Sequence, residues 1–70
     1  MIRLNGVEYE YRPGLSLKEL MDTHNLGHAK VSFDGCVVIV NSAALSADQA
    51  REKIVGDNET IFIVPALSGG

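Results

Sequence analysis

The sequence ends in IVPALSGG, so that two glycines, Gly69 and Gly70, directly follow an apolar segment. The group with the most distinctive chemistry in this segment is the carboxyl group of Gly70. A carboxylate is a poor electrophile, and it becomes reactive only after conversion to an acyl-adenylate or a similar mixed anhydride. We therefore expect Gly70 to be the reacting residue. On this hypothesis a separate activating enzyme uses ATP, and the chain itself binds no cofactor stably.

The residues before Gly70 suit entry into the active site of another protein. Glycine has no Cβ to clash with a narrow channel, and burying Leu67 is worth about 1.5–3 kcal/mol, which offsets part of the cost of ordering the segment. Fully extended, the segment from Pro65 to Gly70 reaches roughly 20 Å at ~3.3 Å per residue. We predict that residues 65–70 form an extended, flexible tail. The residues expected to thread into the partner are Gly69, Ser68, Leu67 and Ala66.

Three other residues have side chains that catalytic or metal sites often use. Cys36 is the only cysteine, so it forms no disulfide within the chain, and its apolar, β-branched neighbours favour a position in the core. His24 and His28 are four residues apart, which suits a metal bound to a helix. However, Gly27 lies between them and the sequence offers no third ligand. We interpret both histidines as surface or helix-end residues and predict no metal site.

Size and composition limit the function further. Seventy residues form one domain, residues 1–70, and a domain of this size buries only about 60% of the surface of its unfolded chain, which disfavours a deep catalytic cleft. The six basic residues are scattered and the net charge is −3, so nucleic acid is not an expected partner. The apolar runs are too short to cross a membrane, and no secretory leader is visible. We expect a cytoplasmic carrier or binding module that is not itself an enzyme.

The first half of the sequence predicts two strands and a helix. Apolar and polar residues alternate on both sides of Asn5-Gly6, which predicts a β-hairpin because a type I′ turn needs positive φ at both central residues. Pro13-Gly14 predicts a turn. Ser16 and Glu19 have the spacing of a capping box at a helix start. The helix should end near residues 25–27, at a residue that tolerates the left-handed conformation. Its predicted apolar face consists of Leu17, Leu20, Met21 and His24.

The second half predicts further strands around a short helix. Residues 31–33 alternate before Asp34-Gly35, and Cys36–Val40 is continuously apolar. This pattern predicts a second hairpin that turns at Asp34-Gly35. Ser46 begins another capping-box pattern and therefore a short helix. Residues 60–64 are apolar on both faces, as in a central strand that is covered on both sides. The predicted fold is α+β, with a four- or five-stranded sheet packed on one main helix.

A known family combines these features. The LNG hairpin at residues 4–6, the ββα start, the length of seventy residues and the final strand that runs into Gly69-Gly70 resemble the ThiS/MoaD sulfur carriers. These carriers belong to the β-grasp (ubiquitin-like) superfamily, and the chain is most similar to the ThiS type, which serves thiamine biosynthesis. The resemblance covers the whole chain. It implies a β-grasp fold with a mixed sheet on one main helix.

The resemblance also implies a sequence of partners. An E1-like activating enzyme, similar to ThiF, adenylates Gly70, and a sulfur donor then converts the adenylate to a thiocarboxylate. The sulfur is delivered to a thiazole synthase, similar to ThiG. We expect the sheet face beside the last strand to dock both the activating enzyme and the synthase.

Three alternatives remain open from the sequence. The ending VPALSGG also resembles MoaD, the small subunit of molybdopterin synthase. A ubiquitin-like modifier would instead be joined through Gly70 to lysines of other proteins. An interaction module could end in an inert, frayed segment, since chain ends are commonly disordered. The sulfur donor, the pathway and the oligomeric state do not follow from the sequence.

Overall fold

The computed structural model describes residues 1–28 and 30–65 of the chain. The described residues form five strands and two helices. In chain order these elements are β1 (Ile2–Leu4), β2 (Val7–Tyr9), α1 (Leu17–Gly27), β3 (Cys36–Val40), β4 (Ala43–Leu45), α2 (Ala47–Glu52) and β5 (Thr60–Pro65).

The strands form a single mixed sheet. Their order is β2-β1-β5-β3-β4, so the last strand lies in the centre. β1 and β5 run parallel, and the other neighbouring strands are antiparallel. This arrangement confirms the predicted β-grasp fold, with five strands rather than four.

Local signals predicted the first hairpin and the start of α1 correctly. Asn5 and Gly6 have φ of 50° and 85°, as the turn between β1 and β2 requires. The Ser16 hydroxyl accepts a hydrogen bond from the backbone N–H of Glu19 at 3.1 Å. The Glu19 carboxylate pairs with Arg12 instead of completing the capping box. The helix ends at Gly27 as predicted, but its C-cap residue His28 is extended, with φ −142°, rather than left-handed.

The predicted second hairpin is wrong. Asp34-Gly35 does form a turn, but residues 31–33 form no strand. The side chain of Asn25 takes the place of a strand partner: it accepts from the N–H of Val31 at 2.9 Å and donates to its C=O at 2.8 Å. The hairpin partner of β3 is β4, and the chain reverses at Asn41-Ser42, where φ is 48° and 73°.

The helices cover one face of the sheet. Ser46 caps α2 with a complete capping box, as its spacing predicted. The four residues predicted to form the buried face of α1 are all buried. The largest fully buried side chains of the core are Ile2, Leu4, Leu17, Ile61, Ile63, Val38 and Val55. Neither helix has the length and apolar character needed to cross a lipid bilayer, as far as the described residues show.

Candidate functional site

The segment predicted to react begins where the described structure stops. Gly70 and the threading residues Gly69, Ser68, Leu67 and Ala66 lie outside the described residues. The structure does describe Pro65, to which this segment is attached. Pro65 is the last residue of β5 and lies opposite Cys36 of β3. Residue 65, predicted as the first residue of the tail, is therefore part of the sheet.

The strand that leads to the Gly-Gly segment is anchored on both sides. Each residue from Ile61 to Pro65 has a partner in β3. On the other side, β1 pairs in parallel with the first half of β5. Because β5 lies between these two strands, the segment after Pro65 is attached to the most interior strand of the sheet.

Sequence reasoning missed one contact of β5. The side-chain amide of Asn5 donates to the C=O of Ile63 at 3.1 Å and accepts from its N–H at 2.8 Å. The sequence pattern assigned Asn5 to the turn only. Its second role depends on the parallel pairing of the first and last strands, and no local pattern reveals that pairing.

The face of the sheet opposite the helices carries an apolar patch. This outer-face patch consists of Val37 and Ile39 of β3 and Phe62 and Val64 of β5. Val37 lies opposite Val64, and Ile39 lies opposite Phe62. Phe62 is 45% exposed and Val64 is 40% exposed, whereas Val37 and Ile39 are half-buried. The prediction that β5 is covered on both sides is therefore wrong, because the described elements cover only its inner face.

Polar residues border the outer-face patch on the side of β1. Arg3 lies opposite both Thr60 of β5 and Glu8 of β2. The neighbours of these three residues in their strands are buried or half-buried, which places the three side chains on the outer face. An apolar centre with a charged border is the usual composition of a protein docking surface. The patch lies on the strand that leads to the Gly-Gly segment, so a partner seated on it would be close to Pro65.

Cys36 packs as its neighbours predicted. It is half-buried and contacts the core cluster. In β3 it alternates onto the same face as the buried residues Val38 and Val40, which is the side of the helices rather than the outer face.

The two histidines lie at the end of α1, but they differ in exposure. His28 is exposed at the C-cap, whereas His24 lies in the last turn and is only 3% exposed, so of the two alternatives the helix-end position is correct for His24 and the surface position is wrong. The Nδ1 atom of His24 lies 2.6 Å from the hydroxyl oxygen of Tyr9. The rings of His24 and His28 stack with their centroids 4.6 Å apart.

Burial favours the uncharged forms of His24 and Tyr9. Burial lowers the pKa of His24, and the nearby His28 lowers it further. Burial also raises the pKa of Tyr9. Both shifts favour neutral side chains, which suits a hydrogen bond that holds β2 against α1. Within residues 1–28 and 30–65, no three His, Cys, Asp or Glu side chains are grouped so as to hold a metal ion.

Comparison with models of known families identifies the family of this chain. A model of the ThiS family matches residues 2–70, which is nearly the whole sequence and includes both final glycines. The chain belongs to the ThiS family. Members of this family are small β-grasp sulfur carriers rather than enzymes, and they generally act with adenylating E1-like enzymes and sulfur-transfer partners. The predicted sulfur carrier of the ThiS/MoaD group is thereby confirmed. A search of curated proteins found no match to the chain.

Proposed function

We propose that this ThiS-family chain carries sulfur as a thiocarboxylate on Gly70 and delivers it for thiazole formation in thiamine biosynthesis. The observation that carries the proposal is the family match, which runs to Gly70 itself. The anchored strand β5 and the outer-face patch support it, because a carrier needs a rigid body that partners recognise beside its reacting end.

The proposed chemistry has two steps. The carboxylate of Gly70 attacks the α-phosphorus of ATP in the activating enzyme, and pyrophosphate leaves. A donor at the sulfide oxidation level then attacks the acyl carbon, AMP leaves, and a C–S bond replaces the C–O bond to phosphate. This chain supplies the acyl group and its positioning, while ATP is bound by the E1-like enzyme. We place the reaction in the cytoplasm.

The outer-face patch is the proposed docking site for the activating enzyme and for the thiazole synthase. A partner that covers Phe62 and Val64 removes exposed apolar surface from water, which is favourable at about 25 cal/mol per Å². Gly69 has no side chain, so it allows the close approach that the active site of the partner requires. Ala66, Leu67 and Ser68 are proposed to line the channel of that site.

The direct test is the intact mass of the chain after incubation with ATP, an E1-like adenylating enzyme and a sulfur source. We expect a mass gain equal to the exchange of one oxygen for sulfur. A chain that lacks Gly69-Gly70 is the control, since it keeps every residue that the structure describes, and it should show no gain. An unchanged mass of the full chain with adenylating enzymes of both the thiamine and the molybdopterin pathways would contradict the proposal.

The molybdopterin pathway is the second candidate, because the ending VPALSGG also resembles MoaD. Purified thiocarboxylate separates the two pathways. Our proposal expects sulfur transfer to a thiazole synthase, whereas the alternative expects transfer in complex with a large molybdopterin synthase subunit. A protein modifier would instead give conjugates of higher mass on a denaturing gel.

A further inference from the structure

The contact between Asn5 and Ile63 joins residues 58 positions apart in the sequence. It has the geometry of a peptide pair, because the side-chain amide both donates to and accepts from the same backbone residue, at 3.1 Å and 2.8 Å. The contact is partly buried. It lies two residues before Pro65, at the end of β5 from which the Gly-Gly segment continues.

The path of β1 explains why a side chain is needed there. Two backbone hydrogen bonds run from β1 to β5. The N–H of Arg3 donates to the C=O of Glu59 at 3.0 Å, and the N–H of Asn5 donates to the C=O of Ile61 at 2.9 Å. The chain then turns away into the hairpin. The backbone groups of Ile63 point toward the place that β1 has left, and the amide of Asn5 fills that place.

Beyond Ile63, this side of β5 has no further donor to satisfy. By the two-residue period of a strand, the backbone of Pro65 faces the same side as that of Ile63. Proline has no N–H. Among the described residues, the Asn5 amide is therefore the last hydrogen-bonding group that holds β5 on the side of β1.

We propose that Asn5 is a positioning residue for the reaction at Gly70. It fixes the end of β5, and thereby the point from which the Gly-Gly segment enters the adenylating enzyme while the outer-face patch is docked. This inference rests on the proposed function. It adds a residue whose side chain acts through Ile63 and Pro65 and need not touch ATP or the acyl group.

The position demands asparagine for two separate reasons. Asn5 has φ of 50°, a left-handed conformation that asparagine tolerates better than most residues. Its amide also provides one donor and one acceptor at once. Glycine would keep the conformation and lose the amide. Aspartate would keep the acceptor for the Ile63 N–H but would place a carboxylate against the Ile63 C=O.

The chain offers a matched control at the other end of β5. Asn41 also follows a strand and has φ of 48°. Its side chain accepts from the N–H of Thr60 at 3.0 Å. Asn41→Gly removes this bond, and the donation of the Asn41 amide to the Glu59 carboxylate at 3.4 Å, from the start of β5, far along the strand from Pro65.

The test is steady-state adenylation of the wild type, N5G and N41G by the E1-like enzyme, measured as ATP–pyrophosphate exchange. For N5G we expect kcat to fall by about tenfold to a hundredfold, because a reacting group misplaced by about 1 Å can lose roughly a hundredfold in rate. KM should stay within about twofold, since the outer-face patch that sets docking is intact. N41G should match the wild type in both constants.

Thermal unfolding of each variant shows that the folded form is being assayed. If N5G does not fold, N5D takes its place in the same comparison and should also lower kcat. Equal kcat values for the wild type, N41G and the Asn5 variant would overturn the role of Asn5 while leaving the proposed function intact. A wild-type chain that is not adenylated at all would overturn the proposed function and this inference together.

Discussion

Single residues carry more of this structure than their types suggest. Three asparagines, Asn5, Asn25 and Asn41, each bind the backbone of another segment, which lies 58, 6 and 19 residues away in the sequence, in addition to shaping a turn or helix end. His24 is similar, since its polar ring is buried and is hydrogen-bonded to Tyr9. The contacts of Asn5, Asn25 and His24 satisfy partly buried polar groups, and a buried polar group without a partner costs about 1–3 kcal/mol.

The buried His24 makes stability depend on pH. Its pKa is lowered in the folded state, so below the ordinary value of 6.5 the unfolded chain binds the proton more readily. The stabilisation is therefore present above 6.5 and is lost as the pH falls toward the folded-state pKa. We expect the free energy of unfolding, measured by urea denaturation, to fall between about pH 7.5 and about pH 5.5.

The variant His24→Gln isolates this effect because glutamine does not titrate. Its free energy of unfolding should fall less over the same pH range, even if it is lower at every pH. His28→Gln is the comparison variant: it removes the contribution of His28 to the lowered pKa of His24 but leaves burial, the larger cause, so its pH dependence should lie between those of the wild type and His24→Gln. An equal pH dependence in the wild type and in His24→Gln would contradict the prediction.

At the scale of elements, the sequence predicted correctly those features that depend on interactions between residues close in the chain. The Asn5-Gly6 turn, the Ser16 and Ser46 caps and the buried face of α1 depend on residues close in sequence. The errors arose where a contact outside the local pattern of alternating residues decides the structure. Residues 31–33 alternate like a strand, yet the amide of Asn25 satisfies the backbone of Val31. Hydrophobicity placed β5 in the centre, but it could not show that one face stays open.

The open face of β5 gives a second prediction. Phe62→Ser should raise KM for adenylation about tenfold, because a central aromatic residue commonly dominates a docking surface. It should change the thermal unfolding temperature little, since Phe62 is 45% exposed. Ile54→Ser is the control, because Ile54 is similarly exposed, at 54%, but is not part of the outer-face patch. It lies in the segment that connects α2 to β5 and pairs with Ser16. Equal KM values for the two variants would exclude this face as the docking site.

At the scale of the whole molecule, helices cover one face of the sheet and the outer-face patch lies on the other. Gly70 was predicted from chemistry and resemblance, and the described structure adds the strand that leads to it. Residues 66–70 lie outside the described residues, so the prediction that they thread into a partner stays a prediction.

If one face serves both partners, the two cannot bind at once. We expect added thiazole synthase to inhibit adenylation competitively, so that the apparent KM for the chain rises while kcat is unchanged. The measurement is ATP–pyrophosphate exchange at increasing synthase concentration. A synthase that binds the chain without affecting KM would show that the partners use separate faces.

The central place of β5 also has a consequence for biosynthesis. It is the last of the described strands to leave the ribosome, and until it arrives the β1–β2 and β3–β4 hairpins have no strand to join them. A nascent chain that stops short of β5 therefore holds two unconnected halves of a sheet. The strand that completes the sheet also leads to Gly70, the proposed reacting residue, so the sheet can be completed only when synthesis has nearly reached that residue.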